Sequence, residues 1–313
     1  MHAPPRPAIL KPMSASRVLV LRPGALGDAI VTLPVLQSLT ATGARVTVVG
    51  HPVFRLAVEC GLAADFIPFD DARLLGLFAD RGKCDLLAGH GIAIAYTRGT
   101  DLLLVANLRR SGIERAVAWP AHPEPDTHIT DHLLHSLISI DLEPVTHQPS
   151  LRPQGAWITS ARSWLRERVL SSGFVAIHPG SGGRAKRWPI GRFADLARAL
   201  PCPVVWLLGP AEAEDVETRR RGEQAGTVAD DLPLPTLAGL LALCRAYVGN
   251  DSGVTHLAAA VGAPTLALFG PTDPAVWAPR GSRVAILGGP HAGGLESIAV
   301  GRVLREVEPW LTA

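Results

Sequence analysis

Apolar residues in this chain fall into short β-branched runs, separated by longer amphipathic stretches. Residues 17–21 (RVLVL) have the unbroken apolar character of a strand buried on both faces of a parallel sheet. A turn, RPGALGD, leads from there into a helical stretch reaching residue 39, and Pro34 inside it is expected to kink or interrupt the helix. Next come a strand at 45–49, a helix near 54–60, a strand at 65–68, and strands at 92–96 and 116–119. This alternation predicts an α/β domain with a doubly wound parallel sheet.

The texture changes over 120–155, where PAHPEPD, a helix at 131–140 and the Pro-rich DLEPVTHQPSLRPQG follow one another. The second Pro-rich stretch reads as a linker, with the domain boundary near residue 152. The pattern then restarts with a helix at 156–170, a strand at 174–178, a helix at 192–200, a strand at 204–208, and helices at 212–223 and 236–245. Residues 247–281 (YVGNDSGVTHLAAAVGAPTLALFGPTDPAVWAPRG) read as strand, polar turn, short helix and strand, a complete βαβ unit. A last strand is expected at 283–287. Apolar residues at 300, 303, 304 and 307 form a helical stripe that must dock on a core. The expected organisation is a flexible leader over 1–16, Rossmann-like domains over 17–152 and 153–295, and a final helical segment over 296–313.

Composition narrows the class. The chain has 313 residues, 47% of them hydrophobic and 19% charged, which describes a globular protein large enough for two cores. A formal net charge of +2 argues against a dedicated nucleic-acid binder, so any anionic ligand must be held by a local cluster. Cys60, Cys84, Cys202 and Cys244 are scattered and form no CxxC pair, which fits reduced thiols in a cytoplasmic protein better than a disulfide framework or a zinc site. No apolar run approaches the ~20 residues needed to cross a bilayer. The leader MHAPPRPAILKPMSAS is too Pro-rich and too short in apolar core for a signal peptide; a flexible tail is expected, in which Met13 could be an alternative start.

Several residue groups carry candidate chemistry. Asp251, Ser252 and Gly253 follow a strand and open a helix, so free backbone N–H groups and the positive end of the dipole meet where an anion can dock. The plainer reading is that Asp251 and Ser252 only cap that helix. Gly253 leaves room for a ligand, and His256 lies on the first turn facing the same way as Ser252. Asp28 begins the first helix, either as a dipole-stabilised acid or as a reactive carboxylate at a strand's end. The glycines around it are not spaced as GxGxxG, which argues against a dinucleotide site. Residues 177–189 (IHPGSGGRAKRWP) form a Gly-rich loop with three cations, able to wrap a diphosphate or simply to sit in solvent. Glu212, or Glu214 beside it, ends a strand where a carboxylate can accept ribose hydroxyls. Arg98, Arg109, Arg110 and Arg115 form either an anion patch or a solvated surface. His128, His132 and His135 lie at helical spacing, but no Cys or carboxylate completes a metal set, so a plain helix face is expected.

Four motifs stand in order along the chain: G-D-x5-P (Gly27, Asp28, Pro34), HPGS…KRWP (178–189), DSGxxHLAA (251–259) and FGPTDP (269–274). Together they resemble the ADP-heptose:lipopolysaccharide heptosyltransferases, glycosyltransferase family 9. The resemblance implies a GT-B fold, two Rossmann-like domains facing a central cleft, with the C-terminal helix packing back on the N-terminal domain. It further implies inverting transfer of a heptose from an ADP-sugar to a lipopolysaccharide core or similar glycan. Asp28 would be the base taking the acceptor hydroxyl's proton. One carboxylate suffices, because the diphosphate leaving group needs little protonation. Ser181, Lys186, Glu212, Asp251, Ser252, Gly253 and His256 would hold the donor, with residues 234–237 beside the adenine. Gly27, Arg98, Arg109 and Arg110 would stand on the acceptor side. The implied partners are a nucleotide sugar and a glycolipid or glycan acceptor, with no metal, no cofactor and no nucleic acid. A cytoplasmic monomer touching the inner membrane peripherally is the expected setting. Another nucleotide sugar, a sugar-nucleotide epimerase of the same fold, and a non-catalytic nucleotide-sugar binder remain as alternatives.

Overall fold

A computed structural model describes residues 16–99, 101–170 and 173–312, so all but the last residue of the expected leader lies outside the described residues. The chain divides into two compact units. The first comprises residues 1–24 and 32–147, the second residues 25–31 and 148–313.

The first unit contains β1 (Arg17–Arg22), most of α1 (Leu26–Ala41), β2 (Arg45–Gly50), α2 (Phe54–Glu59), β3 (Asp65–Pro68), β4 (Ile92–Thr97), α3 (Leu102–Arg110), β5 (Arg115–Pro120) and α4 (Ile129–His135). Its strands form a parallel sheet in the order β3-β2-β1-β4-β5. The central β1 is buried from Val18 onward, as its unbroken apolar run predicts. Of the kink or interruption expected at Pro34, the interruption does not occur: α1 continues through it. Ile30, Leu33, Leu36 and Leu39 are all buried along it, and that packing outweighs the lost hydrogen bond. The expected helix at 131–140 is α4 followed by a 3-10 turn over Ser136–Ile140.

Helix α3 falls in a stretch, 97–115, to which the sequence pattern assigns no element. Its signals are at its ends: Asp101 accepts the Leu104 N–H at 2.9 Å, and Arg109 and Arg110 occupy the last turn.

The second unit contains α5 (Gly155–Glu167), β6 (Val175–His178), α6 (Ile190–Ala199), β7 (Val204–Leu208), α7 (Pro210–Ala213), α8 (Val216–Ala225), β8 (Thr227–Asp230), α9 (Leu234–Leu243), β9 (Ala246–Asn250), α10 (Gly253–Ala260), β10 (Thr265–Phe269), α11 (Pro274–Trp277), β11 (Val284–Gly288) and α12 (Val300–Leu311). The parallel sheet runs β11-β10-β9-β6-β7-β8. The order reverses between β6 and β9, so the loops leaving those two strands flank the switch point, where open α/β sheets bind ligands. The single helix expected at 212–223 is instead α7 and α8. Asp215 accepts the Thr218 N–H at 2.8 Å and starts the second of them. Strand β8 was missed because only four residues, TVAD, form it.

One domain expectation changes. The boundary falls between His147 and Gln148 rather than near residue 152, and the Leu151 N–H bonds the Ala260 carbonyl at 2.9 Å within the second unit. Helix α12 packs within the second unit. Val303, Val307 and Leu311, one face at i, i+4 and i+8, are buried with β6, α6 and β9 in the second.

Candidate functional site

The loops leaving β6 and β9 are stitched together across the switch point. Asn250, wholly buried, donates from Nδ2 to the Pro179 carbonyl at 2.7 Å and accepts the Trp188 N–H at 2.9 Å. Ser181 donates its hydroxyl to the Asp251 carbonyl at 2.7 Å, while its own carbonyl receives the Arg187 guanidinium at 2.9 and 3.2 Å. Both loops are thereby held at one edge of the sheet.

Two hollows of about 240 and 420 Å³ open there and share a wall made by Ala25, Gly27, Ser181, Gly182, Ser252 and Gly253. Asp28, Lys186, Asp251, His256 and Trp277 line the first; His178, Arg187, Gly209 and Glu212 line the second. Ser181, Lys186, Glu212, Asp251, Ser252, Gly253 and His256, together with Asp28 and Gly27, therefore gather around one bipartite pocket, whereas residues 234–237, expected beside the adenine, line neither hollow.

The shared wall is built from two helix starts. The Ala25 carbonyl accepts the first intrahelical bond of α1, from Ala29 at 3.2 Å, so Ala25 is the N-cap residue. Asp28 reaches back and accepts the Ala25 N–H at 2.9 Å on Oδ2, the reciprocal half of a capping box. Asp28 is thus both a cap and a carboxylate facing the pocket. The α1 start lies against that of α10: a methyl on Gly253 would stand 2.7 Å from the Gly27 nitrogen and 2.8 Å from Leu26 Cβ. Sequence reasoning left Gly253 bare for a ligand; in the structure its bareness admits the chain's own residues 26–27.

At α10 the hydroxyl protons are fully assigned. Thr255 donates its hydroxyl proton to the Asn250 carbonyl, which can only accept. Tyr247 and Ser252, whose oxygens lie 3.0 and 3.1 Å from Thr255 Oγ1, must therefore donate to it. Ser252 Oγ in turn accepts the Thr255 N–H at 3.4 Å, so its side chain is the cap. The open choice at this turn thus resolves for Ser252: the side chain caps, and the anion-binding capacity belongs to the backbone amides and the helix dipole. Ser181 is likewise committed to the Asp251 carbonyl and offers its neighbours lone pairs.

Lys186 does not stand alone. Its ammonium pairs with Asp251 Oδ2 at 2.8 Å, and Thr272 donates to the same oxygen at 2.7 Å. On the other side, Glu212 is buried with Arg187 at 3.4 Å and packs where a Cβ on Gly180 would come within 2.4 Å of its carboxyl carbon. Glu214 is exposed and outside both hollows. Burial pushes the His178 imidazole below its ordinary pKa; Glu212 opposes that shift and Arg187 adds to it. Its Nδ1 lies 2.8 Å from the Leu207 carbonyl, so Nδ1 carries the hydrogen and Nε2 the lone pair.

The arginines do not converge. Arg98 lines a separate hollow in the first unit, with Thr97, Asp101 and Leu102. Arg109 and Arg110 lie at the far end of α3, about 12 Å away along its axis, and Arg110 bonds Asn107 at 2.6 Å. Arg115 pairs with Asp141 at 3.0 Å. The histidines also disperse: His128 caps α4, His132 bonds the Pro120 carbonyl at 2.8 Å, and His135 is exposed.

Sequence reasoning did not single out Thr272, Asn250, Thr255, Arg187 or Trp277. All five lie in or beside the quoted motifs, but Thr272, Arg187 and Asn250 each have a partner 21 to 71 residues away in the chain, which only folding reveals.

Comparison with known proteins bears on the whole arrangement. The lipooligosaccharide heptosyltransferase 2 of Haemophilus influenzae is 38% identical over 123 residues, covering 36% of this chain and 36% of the relative. The match therefore spans little more than a third of that curated protein's length. Among solved structures, a glycosyl transferase family 9 protein from Veillonella parvula matches with a TM-score of 0.78 at 19% identity, over 97% of this chain and 99% of that one. An E. coli ADP-heptose lps heptosyltransferase II matches at 0.73 and 22% identity, over 95% and 98%. These establish the fold as GT-B, built from two Rossmann-like α/β domains. The model of glycosyltransferase family 9 (heptosyltransferase) matches residues 132–299, more than half of the chain, and the protein belongs to that family.

Proposed function

We propose that this chain is an inverting glycosyltransferase that moves a heptose from ADP-heptose to a lipopolysaccharide core or a related glycan. The observation that carries the reading is the bipartite pocket, whose shared wall consists of two abutting helix starts. A diphosphate lying along that wall meets backbone amides and two dipole ends, with Lys186 beside it. The adenosine then falls on the side of Glu212, whose buried carboxylate accepts the ribose diol, and the sugar on the side of Asp28, Asp251, His256 and Trp277.

In this scheme Asp28 takes the proton of the acceptor hydroxyl as its oxygen attacks the anomeric carbon. The bond from that carbon to the diphosphate oxygen breaks, and the electron pair leaves with ADP. Lys186 and the amides of the wall meet the growing negative charge. No cofactor is called for. The activity named for the H. influenzae relative and the ADP-heptose named for the E. coli heptosyltransferase support the donor and the acceptor class. We place the reaction at the cytoplasmic face of a membrane, where such a glycolipid is built, and take the working form to be a monomer. No helix among the described residues is long and apolar enough to cross a bilayer.

A thermal-shift panel of ADP, UDP, GDP and CMP tests the nucleotide, since a bound ligand stabilises as RT ln(1 + [L]/Kd). ADP should give the largest shift, and ADP should form from ADP-heptose only when acceptor is added. Turnover of the donor without acceptor would instead support an epimerase, and a larger shift with UDP would replace the donor.

A further inference from the structure

We propose that Thr272 is a positioning residue: its hydroxyl sets the Asp251 carboxylate and, through it, holds the Lys186 ammonium at the shared wall of the pocket. The inference deepens the heptosyl-transfer reading and rests on it for the identity of the phosphate ligand.

Three loops converge here. Asp251 leaves β9, Lys186 lies in the 3-10 turn Arg184–Lys186 after β6, and Thr272 follows β10. Both donors choose the same atom: Lys186 Nζ at 2.8 Å and Thr272 Oγ1 at 2.7 Å from Asp251 Oδ2. A carboxylate on a short side chain can rotate about its terminal bond, whose torsional preference is broad. An ammonium is a point charge that follows whichever oxygen is offered. A neutral hydroxyl on the same oxygen, fixed to a separate loop, removes that freedom without adding charge.

The loops also lie close to each other at the backbone. A methyl on Gly270 would stand 2.9 Å from the Ala185 carbonyl, so the segment carrying Thr272 lies directly against the one carrying Lys186. Asp251 is buried, whereas the Lys186 side chain keeps 35% of its surface. Lys186 therefore reaches a ligand from an anchored position, with its charge still available at the pocket. The sequence singled out Lys186 alone; the structure makes it the outer member of a three-residue chain.

The test compares Thr272→Val, which keeps shape and loses the donor, with Thr272→Ser, which keeps the donor. The first readout is the rate at which Lys186 is acylated by a small amine reagent, followed by mass spectrometry in the ligand-free protein. Exposed Lys83, paired with Asp85 at 3.0 Å, serves as internal reference. Thr272→Val should raise the Lys186 to Lys83 rate ratio by about threefold or more, and Thr272→Ser should restore it. The second readout is calorimetric affinity. Thr272→Val should weaken ADP by about three- to tenfold, leave adenosine within about twofold, and be rescued by serine.

An unchanged acylation ratio in Thr272→Val, or an equal loss for ADP and adenosine, would overturn the positioning role. Wild-type protein that binds no ADP would sink the heptosyltransferase reading instead, and the acylation ratio would still decide the fate of Thr272.

Discussion

Gly253→Ala places a methyl carbon 2.7 Å from the backbone nitrogen of Gly27, 2.8 Å from Leu26 Cβ and 3.0 Å from Leu26 Cγ. The nearest of these atoms is backbone, not the far end of a flexible side chain, so the start of α1 must move. Overpacking of this kind costs about 1–3 kcal/mol, and the better helix propensity of alanine offsets less than about 1 kcal/mol of it. At about 2–4 °C per kcal/mol for a domain of this size, the melting temperature should fall by roughly 2–10 °C. The reciprocal change behaves differently. On Gly27 a methyl would meet the Gly253 Cα at 3.4 Å and His256 Cδ2 at 3.7 Å, both ordinary contacts. Gly27→Ala should therefore melt within about 2 °C of wild type. Differential scanning calorimetry of the two variants checks the asymmetry. Equal damage from both changes, or none from Gly253→Ala, would refute the claim that the meeting of two helix starts is what requires this glycine.

Asp28→Asn keeps an acceptor for the Ala25 N–H and so separates the cap from the base. Turnover should fall at least ~10²-fold with the melting temperature unchanged, and retained turnover would remove Asp28 from the chemistry. Glu212→Gln should weaken ADP about tenfold and a 2′,3′-dideoxy analogue hardly at all, while Glu214→Gln alters neither; calorimetry with both ligands decides. Buried His178 is neutral in the folded state and has a depressed pKa, so the unfolded chain takes the proton first as pH falls. Its contribution is complete above the unfolded value of about 6.5 and is lost below it, by up to about 1.4 kcal/mol per pH unit. Urea unfolding at pH 7.5 and 5.5 should show this loss, and His178→Asn should reduce it; an unreduced slope would place the proton elsewhere.

Much of this protein is legible in one dimension. The strands β1, β2, β6, β7 and β9 announce themselves as short apolar runs, because a parallel strand is buried on both faces and tolerates little else. The four motifs point to the family, and Asp28, Ser181, Lys186, Glu212 and Asp251 are visible as polar residues at strand ends, where a doubly wound sheet binds ligands. Helix α3 and strand β8 were missed because a short segment carries too little periodicity to separate helix from strand.

What remained for the tertiary structure was partnership. The sequence determined that Lys186 is a cation in a Gly-rich loop; only the fold brings Asp251, 65 residues away, and then Thr272 to it. Gly253 reads as bare from sequence, but what fills the space beside it is decided by α1, more than two hundred residues earlier in the chain. Arg98 and the Arg109–Arg110 pair look like one patch until a nine-residue helix separates them. The reason is physical: propensity and burial act on a residue and its near neighbours, whereas hydrogen bonds, ion pairs and steric fit depend on distances that exist only after the sheets have formed.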